Sequence, residues 1–579
     1  MKKEWKILKH DAGLTDEISK SLKCSSTVAK ILFNRKIVSP QNAVHFLYPS
    51  FRNLRPPFSI KDMDIAVKRI YASIINNEKI LIFGDYDVDG ITATTILLEF
   101  LLYAGADVSF YIPHRITEGY DLQISHITDY AVKNNINLII TADCGSNSHD
   151  AVKKANSVGI DVIVTDHHEI SDSLPEAVAV VNPKRDDCMS GLDNLAGVGV
   201  AFYLLMGLRK YMRDLKFWND KPEPNLKKIC DLVSLGTIAD VVPLVDENRI
   251  FVKSGLGVMK SGGSRPGINA LSQVCGINTK FIGSDDIAFK LSPRLNASGR
   301  IDHANISAEL LSTKSFSNAK QIAESLNEMN FKRKEIEESV IKDISIYLTK
   351  NPDELKKKSL IFSNHNWHEG VLGIAASRLA EKYCRPVVLI SIKNGMGKGS
   401  ARSIPGFDLC KGFSGCSDEL EGFGGHSMAA GLKIKSENIA LFQNHFENIV
   451  HQTGRAEDFL PKLLIDCELA FNDISRKLID EIEFLQPFGS SNPEPIFLAR
   501  DVRVLSSSIV GEKHRRMILS QPFSKKSKTF NAIFFNIDPD RPMAKSFDKL
   551  AFRLRWNYWN GEKTAQIVIE ETRPFISDS

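Results

Sequence analysis

The sequence predicts an α/β protein of several domains: a mostly parallel sheet in its first half, a long connecting helix, a smaller α/β domain and a C-terminal β-barrel. Three observations carry that expectation. Apolar runs of strand length alternate with helix-length stretches between residues 80 and 181; residues 318–348 contain neither Gly nor Pro; and the last hundred or so residues turn β-rich around Asn560-Gly561, a strong hairpin turn signal.

With 579 residues the chain exceeds what one hydrophobic core supports, and a size of ~150 residues per domain gives three or four units. Apolar residues at 43% and charged residues at 25% are ordinary for a folded globular chain and exclude a fibrous or largely disordered one. Nine cysteines without a Cys-x-x-Cys pair argue against a disulfide framework or a zinc finger and for reduced thiols in a cytoplasm. Polar sequence follows Met1-Lys2-Lys3-Glu4-Trp5, and Glu99 interrupts the most apolar helix candidate, 96–106, so no membrane route is expected. The formal charge of +4 hides local basic stretches, Lys513-His514-Arg515-Arg516 and Lys525-Lys526-Ser527-Lys528.

Taken in order, residues 1–50 read as an N-terminal segment of short amphipathic helices, and Pro56-Pro57 breaks the chain before a helix over 65–75. Strands are expected at 80–83, 108–112, 138–141, 162–165 and 178–181, with helices such as 91–103 and 149–157 between them. That alternation is the pattern of a parallel βαβ sheet, assigned to a domain spanning 51–317. A connecting helix over 318–348 leads to a small α/β domain, 349–455, with a helix at 370–382 and a strand at 386–392. Strands at 530–536, 552–558 and 564–570 place the barrel in the final segment, 456–579.

In such sheets ligands bind beyond the carboxyl ends of the strands, where Asp85, Asp87, Asp143 and Asp166-His167-His168 fall. Two carboxylates ~4 Å apart repel by about 4 kcal/mol at an effective dielectric near 20, so gathering several calls for a cation. Asp85 and Asp87 flank Tyr86 on a loop that Gly90 allows to bend tightly; taken alone, an Asp-x-Asp pair more often means that Asp89 or a neighbour caps the helix. Asp143 alone is also a plausible cap, and recurrence at successive strand ends is what gives these acids weight. Of the two histidines, one can ligate a metal while the other faces a substrate phosphate. Asp240 follows an apolar helical stretch and could enter the same crevice.

A second set suits phosphate: Arg115, the run Arg294-Leu295-Asn296-Ala297-Ser298-Gly299-Arg300, Ser400-Ala401-Arg402 and Gly424-Gly425-His426. Arginine forks grip phosphate bidentately, and glycines let backbone amides approach an anion. In the last segment, Phe534, Phe535, Trp556, Tyr558 and Trp559 interleave with Arg553 and Arg555, as on surfaces that stack single-stranded nucleic acid.

These motifs, in this order, resemble the DHH phosphoesterase family, and within it the single-strand-specific 5′-to-3′ exonucleases. The resemblance rests on Asp85-Tyr86-Asp87-Val88-Asp89-Gly90, Asp143-Cys144-Gly145, Asp166-His167-His168, Ala239-Asp240-Val241-Val242-Pro243, Arg294-Leu295-Asn296, Trp367-His368-Glu369-Gly370-Val371 and Gly424-Gly425-His426. It implies a DHH domain, a DHHA1 domain and an OB-fold. It implies that Asp85, Asp87, Asp143, His167 and Asp240 hold two divalent cations, Mn²⁺ or Mg²⁺, and that His168 contacts the scissile phosphate, with Asp89 and Asp166 beside it in the catalytic group. Some relatives carry a histidine two residues before the first motif aspartate, where this chain has Phe83. Arg115, Arg294, Asn296, Arg300, Ser400, Arg402, Gly424, Gly425 and His426 become the DNA-binding set.

The activity implied is two-metal hydrolysis of single-stranded DNA from the 5′ end, releasing 5′ mononucleotides in recombination and repair, with a helicase and a single-strand-binding protein as partners. Two alternatives are a phosphodiesterase of short oligoribonucleotides or cyclic dinucleotides, and a non-catalytic nucleic-acid-binding scaffold.

Overall fold

The computed structural model describes residues 3–171, 173–511, 513–522, 528–538, 544–559 and 562–574. The Asn560-Gly561 turn and Lys525, Lys526 and Ser527 of the second basic stretch lie outside the described residues. No helix among the described residues is long and apolar enough to cross a membrane, and the nine cysteines are unpaired.

Five parallel strands form the first sheet, in the spatial order Asp107–Tyr111, Lys79–Gly84, Leu138–Ala142, Asp161–Thr165 and Ala179–Val181. The central strands are apolar almost throughout because helices cover both faces. Ile80 and Ile82 face a large core with the helices Val88–Ala104 and Gly197–Asp214, while Leu81 and Phe83 face a second core with Ile127 and Val152. After Lys79–Gly84 the chain turns outward to Asp107–Tyr111, then returns to the opposite side at Leu138–Ala142. This reversal opens a crevice at the carboxyl ends of the two strands that precede Asp85 and Asp143.

The motif helix begins at Val88, three residues earlier than the apolar pattern suggests, because the Asp87 carboxylate accepts from the N–H groups of Asp89 and Gly90. Gly90 therefore lies inside the first helical turn and makes no bend. Its role is close approach, since a Cβ there would lie 2.5 Å from the Asp85 carbonyl oxygen.

The connecting helix runs Phe316–Lys350, opened by Ser315, whose hydroxyl accepts from the Asn318 N–H. Ala319, Ala323 and Leu326 belong to the core of the first domain, whereas Val340, Ile344 and Leu348 belong to that of the small one. One rigid helix thus carries two apolar faces in series and sets the spacing of the two bodies. The small domain has a five-stranded sheet in the order Leu420–Gly425, Ala429–Lys435, Met396–Arg402, Val387–Lys393 and Leu360–Asn364; only the last pair is parallel.

At the C-terminus, Phe497–Val510, His514–Ser520, Thr529–Phe534, Glu562–Arg573 and Ser546–Trp559 pair in turn. The last strand then pairs with the first, which closes a five-stranded barrel. The N-terminal segment is not a separate helical unit. Glu4–Ile7 is a strand that pairs in parallel with Lys462–Ile465, and the helices Ala12–Leu22, Ser26–Asn34 and Pro40–Leu47 share a core with the barrel and the helix Arg476–Phe484. A four-residue strand whose partner lies 458 positions away leaves no local pattern to read.

Arg249 docks this composite body on the first domain. Fully buried and without a carboxylate partner among the described residues, its guanidinium donates to the carbonyls of Phe46, Leu485, Gln486 and Pro487 and lies 3.7 Å above the Phe46 ring. Burial lowers its pKa to about 9, so it remains charged at neutral pH. Removing the donors would leave the Phe46 carbonyl without its Arg249 partner and take one of two donors from each of the Leu485 and Pro487 carbonyls, which Asn492 Nδ2 also serves, at about 1–3 kcal/mol for a buried acceptor left unpaired. Arg249→Met is expected to lower stability by more than about 2 kcal/mol and to speed proteolysis between the first domain and the composite body, measured by thermal unfolding and limited trypsin digestion.

Candidate active site

Six carboxylates and two imidazoles converge where the strands end. Asp85 follows Lys79–Gly84, Asp143 follows Leu138–Ala142, and Asp166-His167-His168 follow Asp161–Thr165; Asp240 arrives as the C-terminal cap of the helix Cys230–Ala239. Their ligand atoms form overlapping groups within 4.8 Å: Asp85, Asp87 and Asp143; Asp143, His167 and His168; and Asp89, His167 and Asp240. His167 Nε2 lies 3.1 Å from Asp143 Oδ1 and 3.6 Å from Asp240 Oδ2, and so stands between the two ends of the cluster.

Burial and mutual charge push Asp85, Asp143 and Asp240 well above the usual carboxylate range. Burial and the His168 charge lower His167 to about 3, which leaves a neutral imidazole free to donate its lone pair. Asp85 Oδ1, Asp143 Oδ1 and His167 Nε2 are all buried without a hydrogen-bond partner. Unsatisfied acceptors crowded this closely are costly unless a cation is shared among them, so the donor set fits divalent ions of the Mn²⁺ or Mg²⁺ type.

The backbone is bent to suit. Asp143 adopts φ 67°, a left-handed conformation that a non-glycine residue occupies at a cost. Gly197 lies against it, and a Cβ there would fall 2.3 Å from Asp143 Oδ1. The amides of Gly197 and Val198, at the N-terminus of the helix Gly197–Asp214, donate to the two oxygens of Asp89 at 2.6 and 2.9 Å. Burial and the Asp87 charge raise Asp89 to about 7 against the pull of those amides. Asp89 therefore braces a helix end beneath the cluster. Nothing in the local sequence announced this role apart from the small residues of Ala196-Gly197-Val198-Gly199.

Asp166 has both oxygens in use: it accepts from the Ser146, His167 and His168 amides and lies 2.8 Å from His168 Nδ1. Burial disfavours its charge, yet the His168 hydrogen bond and the histidine charges outweigh that, and its pKa is lowered. Burial likewise opposes the charge on His168, but Asp166 lifts it to about 9. His168 is an imidazolium at neutral pH. The Tyr120 hydroxyl lies 3.0 Å from the same Nδ1, which leaves Nε2 for the crevice, and the His426 ring stacks on His168 at 5.8 Å and 12°.

Across the crevice, Arg115, Arg300 and Arg402 gather with no carboxylate partner among the described residues. Arg115 lies 4.6 Å over the Tyr86 ring, Arg300 donates to the Gly370 carbonyl and Arg402 to the Ala401 carbonyl. Burial and the other arginines lower the pKa of Arg300 and Arg402. A Cβ on Gly373 would lie 3.0 Å from both Ser400 Oγ and Arg402 Nη2, which sets this pair at the first turns of the helix Glu369–Tyr383. Gly424 and Gly425 end the strand that brings His426 over His168, with Gly425 at φ 137°. Asn296 Oδ1 accepts from the Val88 N–H and thus steadies the acidic loop. Arg294 turns away, donating to Asn327 and to the Lys290 carbonyl, and is not among the clustered arginines. Phe83 points into the second core against Tyr111 and His126. Sequence reasoning missed Tyr120, whose aromatic spacing carries no motif, and Arg333 on the connecting helix, whose charge acts on Arg300 from a stretch read only as a connector.

Three domain families match in series: the DHH family N-terminal domain over 79–237, the DHHA1 domain over 356–452 and the RecJ OB domain over 465–571. The single-stranded-DNA-specific exonuclease RecJ of Salmonella typhimurium is 34% identical over 99% of this chain and 100% of its own length. The chain belongs to the RecJ family. The Escherichia coli RecJ is 34% identical over 91% of this chain and 92% of its own. The crystal structure of RecJ from Thermus thermophilus in complex with Mn²⁺ superposes with a TM-score of 0.83 at 26% identity, over 99% of this chain and 80% of that one. RecJ membership fits the composition of the site, in which acids and arginines face each other across one cleft.

Without bound ions, the raised pKa values of Asp85, Asp89, Asp143 and Asp240 stabilise the fold at low pH and lose that contribution as pH rises through them, and His168 acts in the same direction. His167, lowered, works oppositely once pH falls below about 6.5. Metal-stripped protein is therefore expected to melt at higher temperature near pH 6.5 than near pH 8, and Asp143→Asn to flatten that slope. Mn²⁺ at about a hundred times its Kd should add about 2.7 kcal/mol to the wild type and far less to Asp143→Asn, read by differential scanning fluorimetry.

Proposed function

We propose that this RecJ-family chain is a divalent-cation-dependent exonuclease that degrades single-stranded DNA from its 5′ end to mononucleotides. The observation that carries the reading is the pairing, across one crevice, of a carboxylate–histidine cluster with orphaned acceptors and a cluster of arginines that have no carboxylate partner among the described residues. The first suits cations and the second suits phosphate.

In this reading Asp85, Asp87, Asp143, His167 and Asp240 hold two divalent ions, which when bound supply a water-derived nucleophile and charge neutralisation at phosphorus. The remaining work belongs to side chains. His168, kept protonated by Asp166, directs Nε2–H at a non-bridging oxygen of the scissile phosphate and offsets the charge that grows there. Asp166 and Asp89 are positioning residues, the first for the His168 ring and the second for the helix end under the cluster. His426 covers the His168 face and limits water to the crevice.

Arg115, Arg300 and Arg402, with Ser400, are assigned to the terminal 5′ phosphate, because their charge is concentrated and internally uncompensated. A pocket that grips the end at a fixed distance from the acids would release one nucleotide per cut. Polarity and product size then share one geometric cause. A cavity of about 850 Å³, lined by Asn296, Arg300, Val241, Phe289 and, from the last segment, Phe488 and Arg553, leads from the crevice toward the barrel. Exposed Phe289, in the wall of this cavity, offers a base-sized apolar surface for trailing DNA.

Such a reaction needs strands opened by a helicase, meets them coated with single-strand-binding protein, and is set in the cytoplasm. The barrel and the complete acid set argue against the cyclic-dinucleotide and scaffold alternatives.

End-labelled single strands incubated with Mn²⁺ test the assignment: 5′ label should leave first as mononucleotide, duplex should resist, and release of 3′ label first would overturn it. His168→Asn is expected to lower kcat by about 10²–10⁴ with little change in DNA binding. Arg402→Ala should reduce the preference for 5′-phosphate over 5′-hydroxyl ends by about tenfold to a hundredfold, measured as a ratio of kcat/KM values.

A further inference from the structure

A second group of potential ligands lies in the small domain, away from the crevice. Cys416, Glu419 and His445 bring a thiol, a carboxylate oxygen and an imidazole nitrogen within 4.8 Å of one another. Cys416 precedes the short turn Ser417–Glu419, and His445 projects from the helix Ile439–Thr453. Cys416 is fully buried and Glu419 is 7% exposed. One Glu419 oxygen, Oε1, lies 2.9 Å from His445 Nδ1, while the other, Oε2, is buried with no hydrogen-bond partner. A buried carboxylate oxygen left unsatisfied beside a thiol and an imidazole is costly as it stands and becomes favourable around a cation.

We infer that Cys416, Glu419 and His445 form a binding site for a borderline-soft divalent ion of the Zn²⁺ type, with the fourth position open to solvent. Ligand softness sorts the two sites: the crevice is rich in carboxylate oxygens and suits Mn²⁺ or Mg²⁺, whereas a thiolate with an imidazole favours Zn²⁺. A tetrahedral ion with bonds of about 2.0–2.3 Å sets its ligand atoms about 3.3–3.8 Å apart, so separations of at most 4.8 Å need close by no more than about 1.5 Å, while Glu419 Oε1 and His445 Nδ1, at 2.9 Å, open slightly to admit the ion. The His445 side chain is 46% exposed, which leaves a path for the ion and a place for its water. Burial and the Glu419 charge hold the Cys416 thiol up to about 12, so binding releases its proton to solvent as the sulfur becomes a thiolate ligand.

The site would tie the helix Ile439–Thr453 to the base of the strand Leu420–Gly425. That strand delivers Gly424, Gly425 and His426 to the crevice, yet about seven residues of extended chain, about 23 Å, separate Glu419 from His426. Ion binding here is therefore separable from the chemistry, and its role is to brace the strand that carries His426.

The test uses full-length protein stripped with chelator, resupplied with saturating Mg²⁺ to fill the crevice, and titrated with Co²⁺ as a spectroscopic probe. One equivalent should produce a near-ultraviolet thiolate-to-Co²⁺ charge-transfer band, displaced by Zn²⁺, lost in Cys416→Ser and retained in Asp143→Asn. His445→Gln, on a half-exposed helical position that leaves folding intact, should weaken Co²⁺ binding at least about tenfold. Absence of the band in the wild type, or its persistence in Cys416→Ser, overturns the site. Should Cys416→Ser fail to fold, the His445→Gln titration decides alone, and unchanged affinity there overturns the site.

Discussion

Electrostatic repulsion among buried carboxylates is the constraint around which this molecule is arranged. Asp85, Asp89, Asp143 and Asp240 are held close enough to raise one another's pKa, and three of the nearest ligand atoms have no hydrogen-bond partner. A flexible loop would relieve that repulsion by spreading. Here each acid is fixed at the end of a rigid element: two parallel strands, a helix C-terminus, and a helix N-terminus whose amides hold Asp89. The stability of the surrounding sheet, buried on both faces, is what keeps the cluster compressed.

The opposite charge is built by the same means from different material. Arg115, Arg300 and Arg402 come from a loop, a helix and a strand of two domains, and among the described residues their partners are carbonyls or an aromatic face. Leaving them without carboxylates preserves their charge for an anion. Because Arg402 and His426 belong to the small domain while the acids belong to the first, the site exists only when the two bodies are correctly spaced. The connecting helix supplies that spacing. Its buried Arg333 and Glu337, with Arg378 from the small domain at 2.7 Å from Glu337, replace apolar contact at the midpoint where its two greasy faces change over.

Much of the site was legible because strand-end acids and paired histidines are local patterns. Asp85, Asp143 and Asp166-His167-His168 follow apolar runs whose length and alternation with helical stretches read as buried strands, and the sheet rule sends them to one crevice. The limits are equally physical. Asp87 and Asp89 look alike in sequence, yet one caps its own helix and the other caps a helix more than a hundred residues away. Arg294 and Arg300 share a helix, but their facing differs, so only Arg300 joins the arginine cluster. Cys416, Glu419 and His445 have no motif spacing at all.

By itself, the sequence determined the order of the domains, the parallel sheet, the length of the connecting helix and the residue types able to hold cations and phosphate, because these depend on periodicity and chemistry within short stretches. Only the tertiary structure decided that the N-terminal strand completes the C-terminal body, that Arg249 locks it to the first domain, and which acids face inward, because those outcomes depend on contacts between residues far apart in the chain. Local pattern states what each segment can do; long-range packing selects which of its side chains are brought face to face.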